Sequence, residues 1–327
     1  MTSAPEATAP DDLLTVENLT KHFPIKGGGV IHAVNGVSLS QRRGETIGIV
    51  GESGCGKSTL ARLCLRLVEP TSGAIRFDGE DIRALPARAL RARRRDMQII
   101  FQDPYASLDP RMSVGDIIRE PLDIHSIGNR AERRVQVAQL LEKVGLPADA
   151  ARRYPHEFSG GQRQRIGIAR AIALKPKLVV ADEPVSALDL SIQSQVLNLL
   201  VALRVEMNLS YLFISHDLAV IRYISDRVAV MYLGRIVELA DVDTLYADPA
   251  HPYTRALLSA IPQPDPERRR ARTVLAGDLP NPESPPPGCP FHPRCPAAMD
   301  HCRTVEPAER NIGTPDRPHL VSCHLYG

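Results

Sequence analysis

A chain of 327 residues can hold one large domain with an appendage, or two domains, around a substantial core. Its 43% apolar and 24% charged residues are ordinary for a globular protein, and a net charge of +2 excludes a broad field for nucleic acid or acidic lipid. No apolar run reaches the roughly 18 residues that a bilayer requires, so a membrane-spanning helix is excluded too.

Residues 1–12 are acidic and rich in Ala, Pro and Thr, without a basic start or an apolar stretch. They read as a flexible leader rather than a signal peptide, which places the chain in the cytoplasm with its thiols reduced. Residues 13–19, 33–39 and 46–50 read as short strands separated by turn residues such as Gly27-Gly28-Gly29, a small antiparallel sheet beside a larger core. The last of these runs leads into Gly51-Glu52-Ser53-Gly54-Cys55-Gly56-Lys57-Ser58-Thr59, and Leu60, Leu63, Cys64 and Leu67 follow at helical spacing. Buried strand, glycine-rich turn and helix in that order make a phosphate-binding loop. Its backbone N–H groups and helix N-terminus favour a polyphosphate, Lys57 reaches the β- and γ-phosphates, and Ser58 is the Mg²⁺ ligand.

Residues 73–79 and 97–101 read as further strands, the second ending at Gln102-Asp103-Pro104. The five arginines between 88 and 95 have no interleaved aromatics for base stacking and read as a solvated helical face. From about 105 to 165 a helical insert is expected: Val137, Leu140, Leu141 and Val144 share one face, and Gly145 with Pro147 ends that helix. Ser159 is a candidate N-cap for the helix that follows, with Ile166, Ala169 and Ala173 on one face. Residues 177–181 read as a buried strand that delivers Asp182 and Glu183 to its C-terminal end, where open α/β sheets bind ligands. A helix with Ile192, Val196, Leu199, Leu200 and Leu203 inward comes next, then a strand at 211–215 presenting His216 and Asp217, then a hairpin turning at Leu233-Gly234.

Gly51–Thr59, Gln102, Phe158-Ser159-Gly160-Gly161-Gln162, Asp182-Glu183, Ser186-Ala187-Leu188-Asp189 and His216 resemble, in order and spacing, the ATPase subunits of ABC transporters over residues 13 to about 245. The resemblance implies an α/β P-loop ATPase core with an N-terminal antiparallel β subdomain and a helical insert. It implies that Asp182 and Gln102 join Ser58 at Mg²⁺, that Glu183 polarises the attacking water, and that His216 holds the γ-phosphate. It gives Phe23 the adenine, with His32 the lesser candidate. It assigns Ser159, Gly160, Gly161 and Gln162 to ATP bound by a second subunit, with Asp189 stabilising that head-to-tail interface. Phe158 stands where many relatives have Leu, an apolar exchange.

Beyond about 248 proline becomes dense and helical periodicity fades, so residues 249–327 are expected to form a separate C-terminal domain. His251-Pro252-Tyr253-Thr254 and the earlier Tyr154-Pro155-His156-Glu157 resemble oligopeptide/dipeptide importer ATPases, a subfamily that also serves nickel and glutathione. Such a subunit would work with a second, similar ATPase, two transmembrane permease subunits and an extracytoplasmic peptide-binding protein, at the cytoplasmic face of the membrane. Four of the six cysteines, Cys289, Cys295, Cys302 and Cys323, lie in this tail with spacing C-x5-C-x6-C-x20-C. In a reduced compartment they point to metal, and by residues alone Zn²⁺ and a [4Fe–4S] cluster stand level. The resemblance favours the cluster. Cys55 and Cys64 read as packing residues. A soluble ABC ATPase acting on nucleic acid, or a purely regulatory binding module, is the competing reading. The first usually carries paired nucleotide domains or long insertions, which this chain lacks.

Overall fold

Apolar alternation starts the chain's first strand, but backbone pairing carries it further than its side chains foretell. In the computed structural model, which describes residues 12–25, 27–103, 105–261 and 277–327, β1 (Asp12–Pro24) and β2 (Val30–Arg42) both outrun the short strands expected. The β1 ladder continues past a register shift between Glu17 and Thr20, where Asn18 takes a left-handed φ of 48°. Residues 1–11 of the expected leader, and Pro104, lie outside the described residues.

In chain order there follow β3 (Thr46–Val50), α1 (Lys57–Cys64), β4 (Ser72–Phe77), β5 (Glu80–Asp81), α2 (Ala87–Arg93) and β6 (Met97–Ile100). Next come α3 (Val114–Ile124), α4 (Arg130–Lys143), α5 (Gly160–Ile172), β7 (Leu178–Asp182), α6 (Leu190–Met207) and β8 (Ser210–Ile214). The last are α7 (Leu218–Ile224), β9 (Arg227–Tyr232), β10 (Arg235–Asp241), α8 (Val242–Ala247), α9 (Pro252–Ser259), β11 (Glu309–Asn311) and β12 (Leu320–Ser322). The chain divides into two compact units: one takes in residues up to Gln41, Thr46–Arg83 and Ser215–Gly327, the other Arg42–Glu45 and Ala84–Ile214.

The first unit holds the small sheet, ordered β2-β1-β4-β5, with β1 to β4 and β4 to β5 antiparallel. It also holds β3, buried at every residue and parallel to β9. A strand buried on both faces reads as a near-continuous apolar run, as this one does after Thr46. The β9–β10 hairpin turns at Leu233 and Gly234, whose φ values of 42° and 78° suit the tight turn that strand twist demands. The tail joins this unit through backbone pairing: β12 lies antiparallel to β10, and β11 to β12. Residues that looked irregular in sequence thus extend a sheet edge, because three-residue strands are too short to carry an alternation signal.

In the second unit β6, β7 and β8 run parallel, and helices supply the rest. The α4 face is as expected, with Val137, Leu140 and Leu141 buried, the cap at Val144 and a left-handed Gly145. Two details differ. Phe101 falls outside β6 and is 40% exposed, and α6 buries Leu197 where Ile192 and Leu199 are only half-buried. A helix turning through 3.6 residues shifts its inward stripe by one position over this length.

Candidate active site

The phosphate loop runs from the end of β3 to α1. Gly56 sits at the α1 cap with φ 107°, and a Cβ there would lie 2.1 Å from the Ala33 carbonyl oxygen, so only glycine closes this turn. Having no side chain, Gly56 makes no side-chain cap on the first helical turn. Lys57 is 6% exposed, and its Nζ donates to the carbonyls of Gly51 (2.8 Å) and Glu52 (2.9 Å), which holds the ammonium inside the loop. Ser53 and Gly54 are exposed on the turn, and Ser58 and Thr59 open α1. Burial pushes the Cys55 thiol up, and the Cys64 thiol up to about 12, so both stay protonated and pack.

Phe23, His32 and His216 lie in the same unit as this loop. Phe23, in β1, is half-buried with the Lys21 ammonium 4.8 Å from its ring centroid. His32 instead stacks edge-on with His22, and their ring nitrogens approach to 3.1 Å. His216 is exposed between Ser215, whose N–H bonds the Ile49 carbonyl at 3.2 Å, and Asp217, whose carboxylate caps α7.

In the second unit, β7 ends on Asp182, 4% exposed, and Glu183 follows with a left-handed φ of 47°. For a residue with a Cβ that conformation is strained, and strain of this kind collects at functional sites. It is held by the Glu183 N–H bonding the Ile214 carbonyl at 3.0 Å and by Ser186, whose N–H and Oγ both donate to the Glu183 carbonyl. Gln102, from the loop after β6, donates through Nε2 to Glu183 Oε2 at 3.0 Å. Two residues 81 positions apart, singled out separately in the sequence, are thus brought together.

The start of α5 is built differently. Ser159 Oγ accepts from the Gln162 N–H while Gln162 Oε1 accepts from the Ser159 N–H at 3.0 Å, a reciprocal capping box. Gly160 and Gly161 add no side chain to the first turn, and a Cβ on Gly161 would sit 2.3 Å from Ile192 Cγ2 of α6. Asp189, exposed, holds the α6 cap position with its backbone.

The four tail thiols are buried except for half-buried Cys295. Burial pushes Cys289 up to about 11 and raises Cys295 and Cys323, and mutual repulsion adds to this in all three. Four thiolates are the donor set of an iron–sulfur cluster, but the side chains whose ligand atoms converge among the described residues are a different group. That group is His301, Cys302 and His324, with ligand atoms within 4.8 Å of one another; of the four expected cysteines it contains only Cys302, and spacing among cysteines could not reveal it.

Sequence reasoning missed what surrounds the loop. Glu52 N–H donates to Tyr253 Oη at 2.9 Å, and Arg294 makes a bidentate pair with the Glu52 carboxylate. Behind them Glu238, 1% exposed, accepts from the N–H groups of Ala250 and His251 and contacts His319. Burial pushes the Glu238 carboxyl up, but bonds from His319 and its neighbours outweigh this and hold it below the usual range. The readable hint was an acid in a loop built for an anion.

A phosphate-binding loop in one unit and, in the other, an acid at a strand end that can polarise water are the two parts of a nucleotide-hydrolysing cassette. Known proteins place it more closely. Residues 34–186 match the family model described as ABC transporter, and residues 237–302 match oligopeptide/dipeptide transporter, C-terminal region. A putative peptide import ATP-binding protein of Brucella ovis is 56% identical, over 95% of this chain and 97% of that one. The oligopeptide transport ATP-binding protein AppF of Bacillus subtilis is 52% identical over 100% of both chains. A solved ATP-binding cassette, a dimer in a post-hydrolysis state bound to ADP and Pi, superposes with TM-score 0.64 at 30% identity, covering 70% of this chain and 98% of that one. The chain belongs to the ATP-hydrolysing subunits of ABC peptide importers. ATP binding with Mg²⁺ is general to ABC ATPases, and no helix among the described residues is long and apolar enough to cross a membrane.

Proposed function

We propose that this chain hydrolyses ATP to energise uptake of oligopeptides or dipeptides, as a peripheral subunit on the cytoplasmic face of the membrane. Its partners in this reading are a second ABC ATPase subunit, two permease subunits and an extracytoplasmic peptide-binding protein. In this reading residues 13–248 are the nucleotide-binding domain and 249–327 the peptide-transporter-type domain; family matches over 34–186 and 237–302 support two parts in that order.

Lys57, parked on the loop carbonyls, is the cation for the β- and γ-phosphates, and Phe23 is the platform for adenine. Glu183 polarises the attacking water, Gln102 keeps its carboxylate aimed, and His216 holds the γ-phosphate. Ser58, Gln102 and Asp182 are the groups for Mg²⁺, which neutralises phosphate charge when bound. Ser159, Gly160, Gly161 and Gln162 address the nucleotide of the second subunit, and Asp189 steadies that interface; the dimeric form of the solved cassette supports this.

The observation that carries the reading is the Gln102–Glu183 bond onto a strained strand end. In the assembled transporter Glu183→Gln should keep ATP binding while turnover falls by about two to three orders of magnitude. Turnover near the wild-type rate would remove Glu183 as the base.

For the tail we assign Cys289, Cys295, Cys302 and Cys323 to a [4Fe–4S] cluster, whose chemistry is to cross-link a loop-rich segment that has little core of its own. Iron and acid-labile sulfide in anaerobically purified protein support it. Zinc without either would favour the His301, Cys302 and His324 set.

A further inference from the structure

The loop that receives the polyphosphate carries an acid, and that acid is held at all three of its polar positions. The Glu52 N–H donates to Tyr253 Oη at 2.9 Å, its carbonyl accepts from Lys57 Nζ at 2.9 Å, and its carboxylate accepts from Arg294 Nη1 and Nη2 at 2.7 and 3.0 Å. The Arg294 side chain is 6% exposed and the Glu52 side chain 29%, so the pair is well sheltered from water. Planar guanidinium on carboxylate in this fork geometry is strong and directional.

Arg294 comes from the tail, one residue before Cys295, and its place is fixed. Its N–H bonds the Phe291 carbonyl at 3.0 Å. Phe291, 1% exposed, packs with ring centroids 5.2 Å from Tyr232 and 5.4 Å from Tyr253, the same tyrosine that holds the Glu52 N–H. Two residues 201 and 242 positions away in sequence, Tyr253 and Arg294, therefore grip the backbone and the charge of the loop respectively.

We infer that Arg294 is a positioning residue for nucleotide binding: it cancels the Glu52 charge and fixes Glu52, so that the phosphate loop and its Lys57 are held ready for ATP. Without it, an unneutralised carboxylate would stand on the loop that takes the phosphates, and repulsion between like charges is stronger in a partly sheltered site than in water. The inference rests on ATP binding at this loop and goes beyond it by making the C-terminal tail part of the binding apparatus.

The test is an equilibrium titration of the full-length chain with trinitrophenyl-ATP and Mg²⁺, alongside the KM and kcat of the assembled transporter. Arg294→Met should weaken nucleotide binding by about tenfold or more and raise KM, with kcat at saturating ATP little changed. The double variant Glu52→Gln/Arg294→Met, which removes both charges, should recover most of that loss. Recovery is the outcome a merely structural arginine does not produce, since the double variant restores no packing. Arg294→Met binding like wild type, or a double variant binding no better than the single, overturns the inference. Wild-type protein that does not retain nucleotide would instead overturn the phosphate-loop reading beneath it.

Discussion

The helices α1 and α5 both begin among glycines, and they treat their first N–H groups in opposite ways. At α1 the cap is Gly56, which has no side chain to turn inward on the first turn. At α5, Ser159 and Gln162 satisfy one another's backbone in a closed box, and the turn stands without any partner. A third start, at α9, is sealed by the His251 ring, whose Nδ1 accepts from the Tyr253 N–H at 3.1 Å. An open start makes a binding site whose order depends on an anion. A sealed start makes a rigid edge that can be offered to another surface.

Breaking the open start should have the largest effect. Gly56→Ala puts a Cβ 2.1 Å from the Ala33 carbonyl at a φ of 107°, a strain of about 3 kcal/mol or more, so ATP affinity should fall by roughly a hundredfold. Nucleotide titration of the purified variant checks this. Affinity within a few-fold of wild type would mean that the α1 cap has slack, and the contrast with α5 would lose its basis.

Acid should break the α9 seal more gently. His251 is 1% exposed, and burial holds its imidazole down to about 4 from an ordinary 6.5. Because the folded value is the lower one, the unfolded chain takes up the proton first as pH falls. The stabilisation is complete above about pH 6.5 and is lost progressively down to about pH 4, by up to roughly 3 kcal/mol. Glu238, held below its ordinary 4.5, adds a further loss below that pH in the same direction. Melting temperatures measured between pH 7 and 4.5 should fall, and His251→Asn, which caps without titrating, should flatten that slope. An equal slope in the variant would assign the acid sensitivity elsewhere.

Sequence and structure agree most closely where chemistry is local. The phosphate loop is legible because strand, turn and helix are consecutive and each constraint falls within nine residues, from Gly51 to Thr59. The α5 start is legible because a capping box spans only Ser159 to Gln162. The register shift at Asn18, by contrast, was invisible: it belongs to the pairing of β1 with β4 and leaves no periodic mark. So was the place of the tail on β10, since Val321 meets Glu238 across more than eighty residues of intervening chain.

What the amino-acid order determined alone was the set of reactive groups and the elements that carry them, because capping, turns and buried strands are decided by neighbours a few residues apart. Only the tertiary structure decided their company: that Gln102 meets Glu183, that Glu238 is ringed by donors from the tail, and that Arg294 answers the charge of Glu52. Such pairings depend on where distant backbones are brought together, and an arginine far down the chain carries no sign of which acid it will neutralise.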